Sequence, residues 1–291
     1  MENKKDKNKE KPKQSDQLTQ FYSTFSWPHD PKSELGEEYF KMALSFMESL
    51  IEHTWIKKLI SKKRKIKILE ICGGSGFGGI ALSRAFAKKK VNWHLLITDL
   101  RKDSLDLAQR WAEDYLKKKV EVLVVDARET WKLKEKFDVC LIYGLSTPHF
   151  NPWDLVKLLS SVGEVLTDDG ILVVDEADRR FRIFLEQGYK WALAEELDPD
   201  KFVVSFHTGY DFNRGTCKKA YVNFNDPKKP VRMEVFMWGL AEVGAFLWTF
   251  FKDVDFISLG GTRHFILGYQ PRRLIKPGDL KKPSVKGYLF S

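Results

Sequence analysis

ILEICGGSGFGGIAL, residues 68–82, runs an apolar strand into a loop of glycines and then into an apolar helix. Within it, Gly74-Ser75-Gly76-Phe77-Gly78-Gly79 satisfies the spacing G-x-G-x-x-G. Glycines at such a junction let the backbone turn tightly and approach a ligand at the carboxyl edge of a parallel sheet. Outward from this loop the chain keeps one rhythm. The short runs IKILEI, WHLLIT, VEVLVV, FDVCLIY and ILVVDE alternate with helical segments at 77–88, 103–117, 152–166 and 179–196. That alternation predicts a parallel sheet covered by helices on both faces. Before it, residues 36–60 place Tyr39, Phe40, Ala43, Leu44, Met47, Leu50 and Ile51 at helical spacing, which predicts one long amphipathic helix. TDDG at 167–170 reads as a turn into the fifth strand, with Gly170 in a tight or left-handed conformation. After residue 200 the rhythm changes: KFVVSFHTGY and CKKAYVNFND read as antiparallel strands, 235–251 as a buried helix and RHFILGYQ as a last strand.

The glycines alone do not choose a ligand, and NAD would satisfy them. Glu70 ends the first strand just ahead of the loop. A carboxylate facing the site there would repel a pyrophosphate and attract a cation, whereas a surface Glu pointing away would do neither. Asp99 ends the second strand, where an NAD site would also carry an acid. Asp126 ends the third, either as a ligand acid or as a helix N-cap. Three acids at three successive strand ends form an ordered set.

Residues 69–76, LEICGGSG, resemble the first motif of the class I S-adenosylmethionine-dependent methyltransferases, (D/E)-x-G-x-G-x-G. Glu70, Gly74 and Gly76 match, and Cys72 replaces the first glycine. The resemblance covers about residues 21–273 and points to the small-molecule branch. It implies an α/β fold, a doubly wound, Rossmann-like, seven-stranded, mostly parallel sheet with an antiparallel C-terminal end and helices on both faces. It implies S-adenosylmethionine as cofactor, held by Glu70, Cys72, Gly74 and Gly76. Asp99 would take the ribose hydroxyls, Leu100 the adenine face, Asp126 and Ala127 the adenine amino edge, with Tyr143 at the end of the fourth strand completing the set. His149, in GLSTPHF, is the candidate catalytic base or else a loop histidine that only packs. Tyr22, Phe25 and Trp27 form an aromatic lid or pack the arm; as a lid, Tyr22 is a second catalytic candidate and Trp27 a substrate contact. Arg232 either borders the pocket, holding an acidic substrate group, or lies on the surface. Sulfonium methyl transfer needs alignment and exclusion of water more than acid and base, so the lack of an evident acid–base dyad does not argue against an enzyme.

The net charge of +9 is concentrated in the ends. Residues 1–13 carry six Lys against three acids and residues 271–291 six Lys or Arg against Asp279, which leaves the body nearly neutral. The tails read as solubilising segments or as tethers for nucleic acid or an acidic protein. KKLISKKRKIK, residues 57–67, precedes the first strand and so lies at the amino edge, away from the ligand edge. GLSTPHF stands where relatives acting on base or amide nitrogens often carry N-P-P-(Y/F). The preferred acceptor is therefore a small molecule, and the apolar stretch 236–251 leaves room for a hydrophobic one. An RNA or protein methyltransferase recruited by the tails, and a non-catalytic cofactor-binding domain, are the other readings. The sequence divides into a disordered basic arm at 1–20, a methyltransferase domain at 21–273 with a helical lid at 21–60, and a basic tail at 274–291. Cys72, Cys140 and Cys217 are too dispersed for a zinc site or a disulfide framework, and no metal is expected. The absence of an apolar leader, and of any apolar run long enough for an integral membrane segment, reads as a cytoplasmic protein. The abundance of Lys and Glu over Gln and Asn hints at a thermophile.

Overall fold

The computed structural model describes residues 14–27, 30–198, 201–281 and 283. Its centre is a seven-stranded sheet in the order β10-β11-β5-β4-β1-β2-β3. The parallel strands are β1 (Lys65–Ile71), β2 (Asn92–Asp99), β3 (Glu121–Val124), β4 (Phe137–Ile142) and β5 (Leu166–Ala177). β11 (Arg263–Pro271) runs antiparallel to both β5 and β10 (Phe251–Gly260), closing the sheet. β4 is buried at every position, as FDVCLI with no polar alternation demands of a central strand covered on both faces. One core layer joins α2 (Glu34–Leu50), α3 (Thr54–Lys62), α4 (Phe77–Lys88) and α5 (Lys102–Leu116) to one face of the sheet. The other joins α6 (Pro152–Val165) and α7 (Leu240–Phe250) to the opposite face. This is the doubly wound arrangement the alternation predicts. At the amino edge Lys62, Lys63 and Lys67 pair with Asp169, Asp138 and Glu135, so much of the basic run is neutralised far from the carboxyl edge.

Between β5 and β10 the chain inserts a second sheet, β6-β7-β8-β9, comprising Ala192–Asp198, Lys201–Asp211, Thr216–Asn223 and Val231–Val235. The two strands read after residue 200 thus belong to this separate antiparallel sheet, and only β10 and β11 form the antiparallel end of the main one. Residues 179–196, expected as a helix, contain a wide helical turn at Phe181–Glu186 and then β6. The break falls at Gly188, which adopts φ +67°. The helix expected from 235 begins only at Leu240, after β9 has ended at Val235.

The N-terminal segment differs in two ways from expectation. Residues 14–20, placed in a disordered arm, are helical within α1 (Gln14–Ser23). Leu18 and Phe21, three residues apart, pack with Phe25 on Tyr221, Met233 and Val235 of the inserted sheet. The Gln17 amide donates to the Arg232 carbonyl at 2.6 Å. Residues 1–13 lie outside the described residues. The single helix expected over 36–60 is broken at residues 51–53, where His53 Nδ1 accepts the Trp55 N–H and starts α3 afresh. Gly170 lies inside β5 without a positive φ; a Cβ there would come 2.8 Å from the Thr167 carbonyl oxygen, so closeness, not handedness, calls for glycine. Part of the basic tail is also laid down: Arg273 donates to the Gly163 and Leu166 carbonyls, and Ser160 Oγ to that of Ile275.

Candidate active site

β1 ends in a loop with three left-handed positions, Cys72 at φ +56°, Gly74 at +52° and Gly76 at +79°. A Cβ at Gly76 would lie 2.7 Å from Ile97 Cδ1. Cys72 therefore bears a left-handed backbone that glycine adopts without strain. Its thiol is pushed well above the usual range by burial and by Asp99 and Asp126, which disfavours the thiolate. Glu70, expected to face a cationic ligand, is instead 1% exposed beneath the loop. Its carboxylate lies against the first turn of α4, where a Cβ at Gly78 or Gly79 would come within 2.8 Å of it. Burial raises its pKa to about 8, partly opposed by the Gly79 and Gly78 N–H groups. The paired glycines make room for this carboxylate, which supports the loop from below.

Asp99 is the last residue of β2; Asp126 lies two residues past β3 and caps the 3₁₀ turn Ala127–Lys132, the helix N-cap its position also allowed. Asp99 Oδ2 accepts the Gly74 N–H at 2.8 Å, tying the glycine loop to β2, and Oδ1 accepts from Arg101 N and Nε. Asp126 is held the same way by Arg128, through N, Nε and Nη2. Burial alone would raise the Asp126 pKa, but Arg128 outweighs it and keeps the carboxyl ionised. Arg128 reaches on to Asp154 and to Gln14 of α1. The Arg101 guanidinium lies 4.4 Å from the Tyr22 ring centre. Together Cys72, Asp99, Leu100, Asp126, Ala127 and His149 line a narrow cavity of about 50 Å³ under α1.

His149 closes a short 3₁₀ turn, Thr147–His149, after β4. Two buried acids of β5 hold the chain ahead of it. Asp175 accepts the Gly144 N–H and both arms of Arg263. Glu176 accepts from Thr147 Oγ1 and Arg179, whose other arm donates to the Leu145 carbonyl. They fix Gly144 and Leu145 at φ +88° and +59°, and so the direction in which the turn projects His149. His149 Nε2 lies 3.0 Å from the Tyr22 hydroxyl, across 127 residues of sequence. Nδ1 is buried without a partner among the described residues. Burial, with Arg179 and Arg101 nearby, lowers its pKa to about 4, so the imidazole is neutral. Burial also lifts the Tyr22 hydroxyl well above its ordinary value.

Tyr22 and His149 also line a second, larger cleft of about 670 Å³ between the main sheet and the inserted one. Phe21, Phe25, Trp27 and Tyr221 give it aromatic walls; Leu193, Val235 and Met237 are aliphatic. Trp27 stands here, its ring 5.4 Å from that of Tyr22. Two sequence expectations are not met. Tyr143 lines neither cavity; it is buried behind the loop, with Arg263 5.4 Å from its ring, and a Cβ at Gly78 would touch it. Arg232 is exposed on β9 and faces away from the cleft, because Met233 and Val235 take the inward positions of that strand. Arginines do reach the cleft, but they are Arg179 and Arg182 from the segment after β5. Sequence reasoning also missed Arg101 and Arg128, although the repeated pattern of acid, any residue, Arg in DLR and DAR was visible.

Residues 68–170 match the family model described as a methyltransferase domain. Among solved structures, the fold is similar to PH0226 protein from Pyrococcus horikoshii OT3, with a TM-score of 0.58 and 20% identity over 87% of this chain and 99% of that one. It is similar to a S-adenosylmethionine-dependent methyltransferase from Clostridium acetobutylicum ATCC 824, with a TM-score of 0.57 and 13% identity over 88% and 98% of the two chains. A third is the sugar N-methyltransferase KedS8 from Streptoalloteichus sp ATCC 53650, with a TM-score of 0.53 and 13% identity over 88% and 93%. No curated protein matches the sequence.

Proposed function

We propose that this chain, whose residues 68–170 match a methyltransferase-domain model, is an S-adenosylmethionine-dependent enzyme that methylates an O or N nucleophile of a small molecule held in the larger cleft. The observation that carries this reading is the Tyr22–His149 pair, which lines both cavities and marks where they meet. The smaller cavity is the candidate for the cofactor: Cys72 of the glycine loop lines it, and Asp99 and Asp126 bring carboxylates to it from the ends of adjacent apolar runs. Asp99 would hold the ribose hydroxyls, Asp126 and the Ala127 N–H the adenine edge, with Leu100 against the ring. S-adenosylmethionine supplies an electrophilic methyl group whose thioether leaves without a proton.

His149 then has one task. An O–H or N–H nucleophile becomes strongly acidic as its new bond to carbon forms, so even a weak neutral base can take the proton late in the step. An imidazole with a pKa near 4 and one nitrogen unclaimed by Tyr22 is such a base. Tyr22 orients the ring through Nε2 and covers the junction with Trp27, excluding water. The sugar N-methyltransferase among the similar structures shows that this fold accommodates a small-molecule enzyme. The aromatic walls of the cleft here suit an acceptor with a flat or apolar face.

The test is transfer of a labelled methyl group to a panel of amino sugars, phenols and apolar amines, with His149→Ala alongside. Turnover on one class, lost in the variant while S-adenosylhomocysteine still binds, supports the reading. Transfer only to RNA or protein would replace the acceptor, and cofactor binding without any transfer would make the domain non-catalytic.

A further inference from the structure

Residues 181–191, FRIFLEQGYKW, form the outer rim of the larger cleft, into which Arg182, Ile183 and Gln187 project. The rest of the segment turns its apolar side chains to solvent. Leu185 is 74% exposed, Trp191 68% and Phe184 52%, with Phe181 and Tyr189 close behind. These rings are ordered against one another. Phe184 stacks on Tyr189 at 5.8 Å, Tyr189 meets Trp191 at 6.0 Å, and Trp191 stacks on His207 of β7 at 4.8 Å. The base of the segment is pinned: Asp178 accepts the Phe181 N–H, Arg179 is held by Glu176 and Arg180 by Glu242. A contiguous exposed aromatic patch of this kind marks an interaction surface.

Its charge says which kind. Of the four basic residues from 179 to 191, Arg179 and Arg180 are neutralised by Glu176 and Glu242, whereas Arg182 and Lys190 have no acid within ion-pair distance among the described residues and outnumber Glu186 on the rim; Glu195 and Glu196 line the cleft behind it. A second copy bound through the same patch about a two-fold axis would set these basic groups against their own equivalents. Trp and Tyr amid Lys and Arg, beside an exposed Leu and Phe, match the chemistry of a bilayer interface: rings at headgroup depth, apolar tips below, cations on the phosphates. We infer that this rim docks on an anionic lipid surface, bringing the mouth of the cleft to the bilayer, where amphiphilic acceptors are concentrated. The surface is a property of the rim and stands whether or not the cleft takes the methyl acceptor.

The experiment is co-sedimentation of the full chain with vesicles of phosphatidylcholine and of phosphatidylcholine mixed with phosphatidylglycerol. It is run for the wild type, Leu185→Ser with Trp191→Ser, and Arg182→Ala with Lys190→Ala; all four sites are exposed, and melting temperatures verify the folds. Binding to the anionic vesicles that drops at least about tenfold in both variants is the expected result. Equal binding by wild type and variants would assign the interaction to the basic tails and overturn the proposal, as would no binding by the wild type. Neither readout requires methyl transfer, so failure here and failure of the proposed reaction are told apart.

Discussion

The carboxyl edge of the seven-stranded sheet and the wall built by α1 and the inserted sheet face each other across the Tyr22–His149 pair, yet they are made differently. On the first side each candidate ligand acid is anchored to the backbone beside it, Asp99 by Arg101 and Asp126 by Arg128, and β1, β2 and β4 are almost wholly buried, the edge strand β3 alone being open. On the other side the residues come from distant parts of the chain, Tyr22 from α1, Arg179 from after β5 and Tyr221 from β8, and β6 is largely exposed. The family model matches only residues 68–170, which hold the first side and none of the inserted sheet. A cofactor site that serves one ligand can be written locally. An acceptor site has to be assembled from whatever surrounds it.

The largest effect that would sharpen this contrast is on turnover. His149→Ala should lower kcat by about a hundredfold or more with S-adenosylhomocysteine affinity kept, measured by labelled methyl transfer. Equal losses of both would erase the distinction between the two sides.

Next comes stability against pH, where the two sides should show opposite limbs. His149 has a folded pKa of about 4 against an unfolded value near 6.5, so the unfolded chain binds more protons in between. Its contribution is present above pH 6.5 and is lost, on the order of 3 kcal/mol, as pH falls toward 4. Glu70 has the reverse sign. With a folded pKa of about 8 it binds its proton more tightly when folded, so its contribution is present at low pH and is lost as pH rises from about 4.5 through 8. Urea unfolding across this range should show His149→Gln flattening the acid limb and Glu70→Gln the alkaline limb. A variant that flattens the wrong limb would refute its assignment.

Smaller again is Tyr22→Phe, which removes one hydrogen bond to His149 and should cost about fivefold to tenfold in kcat. Unchanged turnover would leave Tyr22 as packing. The smallest effect is predicted for Arg232→Ala, which should leave KM and kcat within about twofold, since exposed side chains away from a site rarely matter. A large rise in KM would place Arg232 back at the cleft.

How far the sequence could be read follows the same division. Asp99 and Asp126 were legible because each ends an apolar run of recognisable length, and the glycine loop was legible from spacing alone. Glu70 was legible as important but not as buried; Gly78 and Gly79, which admit its carboxylate, were counted only as part of a motif. α1 was missed because its apolar face is short, Leu18 and Phe21, and becomes helical by docking with Phe25 on β8 and β9. Of the inserted sheet only β7 and β8 were legible as strands, β6 falling within an expected helix, and nothing local told which sheet they would join. Arg232 illustrates the limit, since one step along β9 exchanges the cleft for solvent.

The most direct test is calorimetric titration of S-adenosylhomocysteine into the wild type, Asp99→Ala and His149→Ala. Loss of the charged hydrogen bonds at Asp99 should weaken binding by more than about tenfold, while His149→Ala should bind within about threefold of the wild type. Asp99→Ala binding like the wild type, or His149→Ala failing alongside it, would contradict the account of one cavity for the cofactor and another for the acceptor.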